Sequence, residues 1–185
     1  MTSPLLAKAQ REGREIVNVT PERAGWTHVG FRALRLAAGD CEALDTGARE
    51  LCLVVLAGKV NMQAGGESFA NLGTRVQVFD EHAPDAVYVP SQQRVTITAV
   101  TGAEIALCTA PCDGAPRQVK RLDPATMRRS ARGQGSNTRF ICDVLPHDDP
   151  TAAHRRADEG RAGTGPASGC RPRRPPSQKP PDETQ

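Results

Sequence analysis

Short runs of β-branched and other apolar residues, each soon ended by Gly, Pro, Asp or Ser, recur from Glu15 to about Leu145. Such runs are typical of β-strands, and their close spacing is typical of a sandwich or barrel. They read EIVNVT, RELCLVVLAGKVNMQAGG, RVQVF, DAVYVP, RVTITAV and EIALCTAP, with turns predicted at Gly58-Lys59 and Gly65-Gly66. Only LDPATMRRSARG, between a capping Asp123 and Gly133, predicts a helical turn or two. We therefore expect an all-β, jelly-roll-like barrel.

The strand pattern covers only part of the chain. We expect an N-terminal extension over residues 1–15, one β-domain over 16–145, and a tail rich in Pro, Arg and Gly over 146–185. From Gly160 to Gln185 the tail contains no Val, Ile, Leu, Met, Phe, Trp or Tyr. Such a segment cannot bury enough apolar surface to offset its conformational entropy, so we expect it to be disordered.

Composition excludes several classes of partner. The net charge of +3 is near balance and aromatic residues make up 3% of the chain, so we expect no nucleic-acid binding. Apolar runs are too short to span a membrane, and the N-terminus does not resemble a secretory signal. We expect a cytoplasmic protein with reduced cysteines. The two cysteines of CTAPC have no second pair of Cys or His residues nearby with which to complete a zinc site. Cys41, Cys52 and Cys142 are interpreted as small buried apolar residues.

Four stretches, VTPERAGWTHVGFRALRLAAGD, TGARELCLVVLAGKVNMQAGGESFANLGTR, FDEHAPDAVYVP and RGQGSNTRFICDVLP, resemble the N-terminal half of the 5-deoxy-glucuronate isomerase family. The resemblance runs collinearly from about Ile16 to Pro146. It implies a cupin-type β-barrel (a double-stranded β-helix) in a family whose members carry two such modules. It also implies isomerisation of 5-deoxy-D-glucuronate, an aldose, to the ketose 2-deoxy-5-keto-D-gluconate in myo-inositol catabolism. The family's metal-ligand histidines lie in the second module, so zinc or manganese is expected there and no cofactor in this chain.

The tail is interpreted through the same resemblance. The degenerate codons of Gly160 to Ala167, read one frame over, admit the string Pro-Gly-Gly-His-Trp-Ser-Ser. This string resembles the family's second-module motif, at about the expected distance after VLP. The match ends after Ala167. We expect the tail to be a second cupin read out of frame, which would leave the chain truncated.

The first module itself lacks the usual metal ligands of a cupin. Where the resemblance places His-x-His before a glutamate, the chain reads CEALDTGARE; where a later histidine is expected, it reads YVPSQQRVTI, with Arg94 near that position. We expect a metal-free barrel with no assignable catalytic residue. His28 is expected on an early strand and His82 in an exposed turn, while His147 and His154 begin the tail.

Four residues are candidates for binding a sugar acid. Arg49 and Glu50 open the strongest strand and could contact a uronate carboxylate; the alternative is a salt bridge at the strand edge. Arg132 and Arg139 lie in RRSARGQGSNTR, which is either a flexible anion-binding loop or a solvated linker. The cluster formed by Asp40, Glu42 and Asp45 could hold a hard cation or be exposed turn carboxylates.

Two functions remain open from the sequence. One is membership of the isomerase family by descent, in a truncated chain that is inactive by itself. The other is a metal-free cupin that binds a sugar acid or a protein partner. In either case the partner classes are a small sugar acid and a second copy of the chain, packed on an apolar face that the absent module leaves bare.

Overall fold

The computed structural model of the protein describes residues 8–10, 12–112, 115, 117–146 and 149–151. Within these residues lie twelve strands, one short α-helix and two 3₁₀ turns. None of their helices is long or apolar enough to cross a membrane, since the α-helix, α1 (Pro21–Ala24), has four residues. Most of the predicted tail, including the stretch interpreted as out of frame, lies outside the described residues.

The larger sheet has six strands in the order β1-β2-β9-β4-β7-β10, all paired antiparallel. Its members are β1 (Glu15–Val19), β2 (Gly30–Leu36), β4 (Arg49–Ala57), β7 (Ala86–Val89), β9 (Ala103–Pro111) and β10 (Lys120–Leu122). The predicted strand EIVNVT is confirmed as β1 and the strand in RELCLVVLAGKV as β4. The longest ladder joins β4 to β9 at the centre of the sheet, where Leu53 lies opposite Leu107.

The smaller sheet has four antiparallel strands in the order β3-β8-β5-β6. They are β3 (Cys41–Asp45), β5 (Val60–Ala64), β6 (Glu67–Leu72) and β8 (Arg94–Ala99). A separate hairpin is formed by β11 (Arg128–Arg132) and β12 (Arg139–Asp143). The two sheets enclose one core, so the expected all-β barrel is confirmed.

The core consists of side chains that point inward from both sheets. Because successive residues of a strand face opposite sides, Leu51, Leu53 and Val55 of β4 point inward while the residues between them point outward. Val95 and Ile97 of β8 face them from the smaller sheet and are fully buried. The interior of the barrel is thus filled by apolar side chains.

Both predicted turns are confirmed. Gly65 and Gly66 connect β5 to β6 as a two-residue loop with φ of +58° and +83°, the backbone that a tight hairpin with positive φ at both positions requires. Gly58 ends β4 with φ of +78°, and a Cβ there would overlap the carbonyl oxygen of Gly102. A residue with a side chain would therefore be strained at Gly58 for two independent reasons.

Three local predictions are corrected by the structure, one of them only in part. RVQVF does not form a strand, because the Asp80 carboxylate accepts the backbone N–H groups of Val76 (2.7 Å) and Gln77 (3.2 Å) and closes a turn. Asp123 does cap a helical segment, but it is a 3₁₀ turn of three residues, Pro124–Thr126, and the arginine-rich stretch that follows is β11. The prediction had no strand at ESFANL, which forms β6.

The cysteines and histidines are placed as follows. Cys41 is exposed, which corrects its interpretation as a buried apolar residue, whereas Cys52 and Cys142 are partly buried. His28 precedes β2 instead of lying within it, and it is exposed; His82 is exposed in a turn, as expected.

Candidate functional site

Arg49 and Glu50 lie on opposite faces of the larger sheet. Arg49 belongs to the inward series of β4 and lines a cavity at the mouth of the barrel. Glu50 belongs to the outward series, is 4% exposed and lines a different cavity on the outer face. Neighbouring residues of a strand cannot face the same side, so the two side chains form neither a joint carboxylate site nor a salt bridge with each other.

The mouth cavity has a volume of about 280 Å³. The larger sheet, β3 and the first turn of α1 form its walls. The residues that line it are Asn18, Val19, Thr20, Pro21, Glu22, Gly30, Phe31, Arg32, Leu44, Arg49, Leu51, Leu107 and Thr109. Three of these described residues are charged, so a polar rim surrounds an apolar floor.

The Arg49 guanidinium is held by hydrogen bonds to neutral acceptors. Its Nε donates to Thr109 Oγ1 at 3.2 Å, and its Nη2 donates to the Thr109 carbonyl oxygen at 3.1 Å and to the carbonyl oxygen of His28. These contacts fix the side chain without neutralising its charge. Because β4 and β9 are adjacent, the fixed position follows from the register that places Leu51 opposite Thr109.

Gly30 makes room for this arrangement. Its φ is ordinary, but a Cβ at this position would lie 2.5 Å from Thr109 Oγ1 and 3.8 Å from Arg49 Nη2. Gly30 lies opposite Thr109 in the pairing of β2 with β9. The absence of a side chain is therefore what allows the Arg49–Thr109 contact at the wall of the cavity.

The other two charges at the mouth have partners of their own. Arg32 is bound by Glu42 at 2.7 Å and by Glu15 at 3.0 Å. Glu22 is exposed, and the pKa of its carboxyl is lowered by a hydrogen bond from its own backbone N–H, by one from the Thr20 hydroxyl, and by the positive charge of Arg49. The field of Arg49 thus reaches the rim of the cavity.

The outer-face cavity has a volume of about 390 Å³ and mostly apolar walls. At its base the Tyr88 hydroxyl donates a hydrogen bond of 2.8 Å to Glu50 Oε2. Burial, together with this hydrogen bond and the charge of Glu50, raises the pKa of the Tyr88 phenol above its ordinary range. Burial also raises the pKa of Cys52 to about 12, with Cys108 and Glu50 adding to the shift.

Arg132 and Arg139 lie in neither cavity. They face each other across the exposed β11–β12 hairpin, so the stretch is a pair of strands where the sequence predicted a flexible loop, and its exposed side chains are compatible with the alternative of a solvated connector. In the β11–β12 ladder, Arg128 is opposite Asp143, to which it is ion-paired at 2.9 Å. The structure does not bring these arginines to Arg49 or to Glu50.

Among the described residues, no group of three or more His, Cys, Asp or Glu side chains is arranged to hold a metal ion. Glu42 points toward the mouth, where it is bound by Arg32 and by Arg14, while Asp45 is exposed and Asp40 accepts the N–H of Ala37. These carboxylates do not converge. The described residues around Asp40, Glu42 and Asp45 therefore offer no converging set of ligands for a hard cation.

The antiparallel six- and four-stranded sheets around one apolar core define the chain as a cupin-type β-barrel protein. Comparison with known proteins then assigns it more narrowly: the chain belongs to the KduI/IolB family, whose model matches residues 5–159. An IolB-like protein from Salmonella typhimurium LT2 has a similar solved structure, with a TM-score of 0.74, 32% identity, and coverage of 77% of this chain and 54% of that one.

Curated relatives carry the name 5-deoxy-glucuronate isomerase. The protein from Geobacillus thermodenitrificans is 37% identical over 139 residues, which are 75% of this chain and 50% of that protein. The one from Halalkalibacterium halodurans is 36% identical over 156 residues, 81% of this chain and 57% of that protein. The chain thus spans about half the length of the curated relatives it matches.

The sequence interpretation singled out Arg49 but missed the residues that position it. Thr109 and Gly30 come from two other strands, and neither stands in a recognisable motif. The run VGF at the start of β2 offered one signal, since glycine within a strand pattern can mark a close approach of another group. Tyr88, the single tyrosine of the chain, was also missed as the partner of Glu50.

Proposed function

We propose that the protein acts in myo-inositol breakdown as a 5-deoxy-glucuronate isomerase, and that the described barrel is a supporting module that does not catalyse the reaction by itself. The observation that carries the first part is the family membership, together with relatives of that name at 32–37% identity. The substrate of the complete enzyme would be 5-deoxy-D-glucuronate, a small sugar acid. The free thiols of the five described cysteines support a reducing, cytoplasmic location.

The second part rests on what fills the barrel. Aldose–ketose isomerisation requires a base held within hydrogen-bond reach of the proton on the carbon beside the carbonyl. The positions that face the interior carry Leu, Val, Ile, Met and Ala. At the mouth, Arg49 has no ability to accept a proton, and the other acidic and basic side chains are engaged in ion pairs or exposed. We derive no catalytic step from this module.

The test is an assay of the purified 185-residue chain with 5-deoxy-D-glucuronate, with and without added zinc or manganese. We expect no turnover above the rate without protein. The control is the Halalkalibacterium halodurans relative under the same conditions, together with a chimera that joins residues 1–146 of this chain to the part of that relative beyond its match. Activity in the chimera but not in the chain would agree with the proposal that the barrel is a supporting module. Turnover by the chain at the relative's rate would overturn that proposal.

We also propose that residues from about Gly160 onward derive from an out-of-frame second module. In support, the family model matches this chain up to residue 159, directly before Gly160. Sequencing the gene beyond the Leu145 codon tests this. A frame one base over that encodes the His-containing motif supports the proposal, and a frame that encodes no such motif refutes it.

We further propose that a second copy of the chain packs on the outer face of the larger sheet. Strand pairing places two apolar rows side by side on this face: Val19, Phe31, Cys108, Cys52 and Tyr88; and Val17, Ala33, Ala106, Val54, Ala86 and Leu122. Five of these side chains, those of Ala33, Ala86, Tyr88, Ala106 and Leu122, are already buried within the chain, so a second copy would pack on the edge of the face near β2. Val29, which lines the outer-face cavity, is 52% exposed, and Phe31, which lines the mouth cavity, is 36% exposed. Residues 160–185 contain no large apolar side chain with which to cover the face, which favours a second copy.

Light scattering across a range of protein concentrations measures this self-association. We expect Val29→Lys to shift the chain toward monomer, because a charged side chain would be buried without a partner at the interface. Val76→Lys, at an exposed valine in the Asp80-closed turn, is the matched control and should leave the association unchanged. A chain that is monomeric at all concentrations contradicts the proposal.

A further inference from the structure

We propose that the cavity at the barrel mouth binds a small hydroxylated carboxylate, such as a sugar acid, with Arg49 as the group that holds the carboxylate. The inference does not depend on isomerase activity, because it concerns binding at a site where no catalytic step is assigned. It rests on the charge and fixed position of Arg49, on the state of the neighbouring charges, and on the space that Gly30 leaves.

Arg49 carries a charge that its contacts do not neutralise. Its hydrogen-bond acceptors, Thr109 Oγ1 and the carbonyl oxygens of Thr109 and His28, are all neutral. Among the described residues, no carboxylate lies within 4.0 Å of its guanidinium. These bonds engage Nε and Nη2, whereas Nη1 donates to none of the described residues. A partly buried guanidinium with donors to spare is suited to a carboxylate.

Of the described charged groups at the mouth, only Arg49 is suited to bind the carboxylate of a ligand. Arg32 is already neutralised by Glu15 and Glu42. Glu22 is near enough for Arg49 to lower its pKa, but its carboxylate is held by its own backbone N–H and by Thr20 in the first turn of α1. Glu22 is thus a weak competitor for the same guanidinium, and its negative charge should oppose the binding of an anion.

Pre-organisation favours binding at this point. The contacts with β9 and with His28 hold the guanidinium before any ligand arrives, so less side-chain entropy is lost on binding. Gly30 keeps the wall free, since a Cβ there would overlap Thr109 Oγ1 and approach Arg49. The missing Cβ therefore leaves room for Thr109 Oγ1, which keeps its contact with Arg49 at the wall of the cavity.

The size and walls of the cavity indicate the ligand class. A volume of about 280 Å³ is slightly below the ~300–1,000 Å³ typical of sites for drug-sized molecules, which restricts the occupant to a small molecule. Leu44, Leu51 and Leu107 offer an apolar floor against which the carbon face of a sugar ring can pack. Thr109 at the rim offers a hydroxyl that can hydrogen-bond to ring hydroxyls.

The experiment uses the full 185-residue chain and D-glucuronate as the probe, with D-glucose as the uncharged analogue. Binding is followed by isothermal titration calorimetry and by the fluorescence of Trp26, the single tryptophan, whose backbone N–H is bonded to Pro21 of α1. We expect saturable binding of glucuronate, weaker binding at higher ionic strength, and at least about tenfold weaker binding of glucose, as expected from the loss of a charge-assisted hydrogen bond.

Three variants separate binding from a structural role. Arg49→Gln should weaken glucuronate binding at least about tenfold. Glu22→Gln should strengthen it about two- to threefold, by removing a negative charge near the site. Arg94→Gln, at an exposed arginine of β8 outside the mouth cavity, should bind as the unmodified chain does. Tighter binding by Glu22→Gln shows that the anion lies at the mouth, and weaker binding by Arg49→Gln with unchanged binding by Arg94→Gln assigns it to the Arg49 guanidinium.

Several outcomes would overturn the proposal: no saturable binding of glucuronate, equal binding of glucose, or unchanged binding by Arg49→Gln. If Arg49→Gln does not fold, nuclear magnetic resonance of the unmodified chain decides the matter. Glucuronate should then shift the backbone signals of Gly30, Arg49 and Thr109 in a saturable manner. Shifts confined to the outer face or to the β11–β12 hairpin would place the ligand elsewhere and refute the assignment.

Discussion

Replacing Tyr88 by phenylalanine tests the hydrogen bond beneath the outer face. The substitution keeps the ring, which is 1% exposed, and removes only the hydroxyl that donates to Glu50 Oε2 at 2.8 Å. A hydrogen bond to a charged group contributes about 1.5–3 kcal/mol, and the lost donor leaves a carboxylate of a 4% exposed residue less well satisfied. We expect the free energy of unfolding to fall by about 1.5–3 kcal/mol.

The measurement is chemical denaturation followed by circular dichroism. The unfolding free energy should depend on denaturant concentration with the same slope in both proteins, which checks that the substitution leaves the unfolded state unchanged. The same loss corresponds to a drop in Tm of about 3–12 °C for a chain of this size. The control is Tyr88→Phe in a Glu50→Gln background. Since the acceptor there is a neutral amide, the hydroxyl should contribute only about 0.5–1.5 kcal/mol.

The difference between the two backgrounds is the coupling between Tyr88 and Glu50. A loss below about 0.5 kcal/mol for Tyr88→Phe, which is the range of an ordinary surface substitution, would show that the buried hydroxyl–carboxylate bond does not stabilise the fold. Equal losses in both backgrounds would show that the charge of Glu50 is not what makes the bond strong. Either result would refute the reasoning from burial.

Three further expectations concern the core, one turn and the alkaline limb of stability. Leu53→Ala, at a fully buried side chain, should cost about 2–5 kcal/mol in chemical denaturation. Gly58→Ala should cost clearly more than Gly39→Ala: both glycines have positive φ, worth about 1–2 kcal/mol, but only at Gly58 would the new Cβ overlap Gly102. Because burial raises the pKa of Cys52 from 9.0 to about 12, its stabilisation is complete below pH 9 and is lost as pH rises toward 12. Between pH 9 and pH 12 the unfolding free energy of the unmodified chain should therefore fall about 1.4 kcal/mol per pH unit more steeply than that of Cys52→Ala. Parallel pH profiles of the two proteins would contradict the burial of this thiol.

The strands that the sequence predicted best are those whose local pattern and partners agree. The alternation of RELCLVVLA matches the inward and outward series of β4, and Gly65-Gly66 leaves no other backbone than a tight turn. In both cases the information lies within a few residues. Periodicity and turn chemistry were therefore enough to place the central strand and the β5–β6 loop.

The predictions that failed depended on contacts that local patterns do not contain. RVQVF has the composition of a strand, but none of the described strands pairs with it, and the Asp80 side chain takes up two of its backbone N–H groups instead. Arg128–Arg132 reads as the end of a helix behind Asp123, yet it pairs with residues 139–143 across a turn at Gly133. Strand pairing can override a weak helical propensity.

The same reasoning explains why the site was predicted only in part. The two-residue period of a strand already implies that Arg49 and Glu50, as neighbours, face opposite sides, yet the sequence interpretation kept them together as candidates for one carboxylate. It could not reveal that Thr109, sixty residues further along the chain, would hold Arg49, since that contact depends on the register of β4 with β9. Gly30 has a role only once β2 is placed on the other side of β9, where its lack of a side chain leaves room for Thr109. A polar site built from three strands follows from the topology of the barrel, and sequence patterns within each strand cannot specify it.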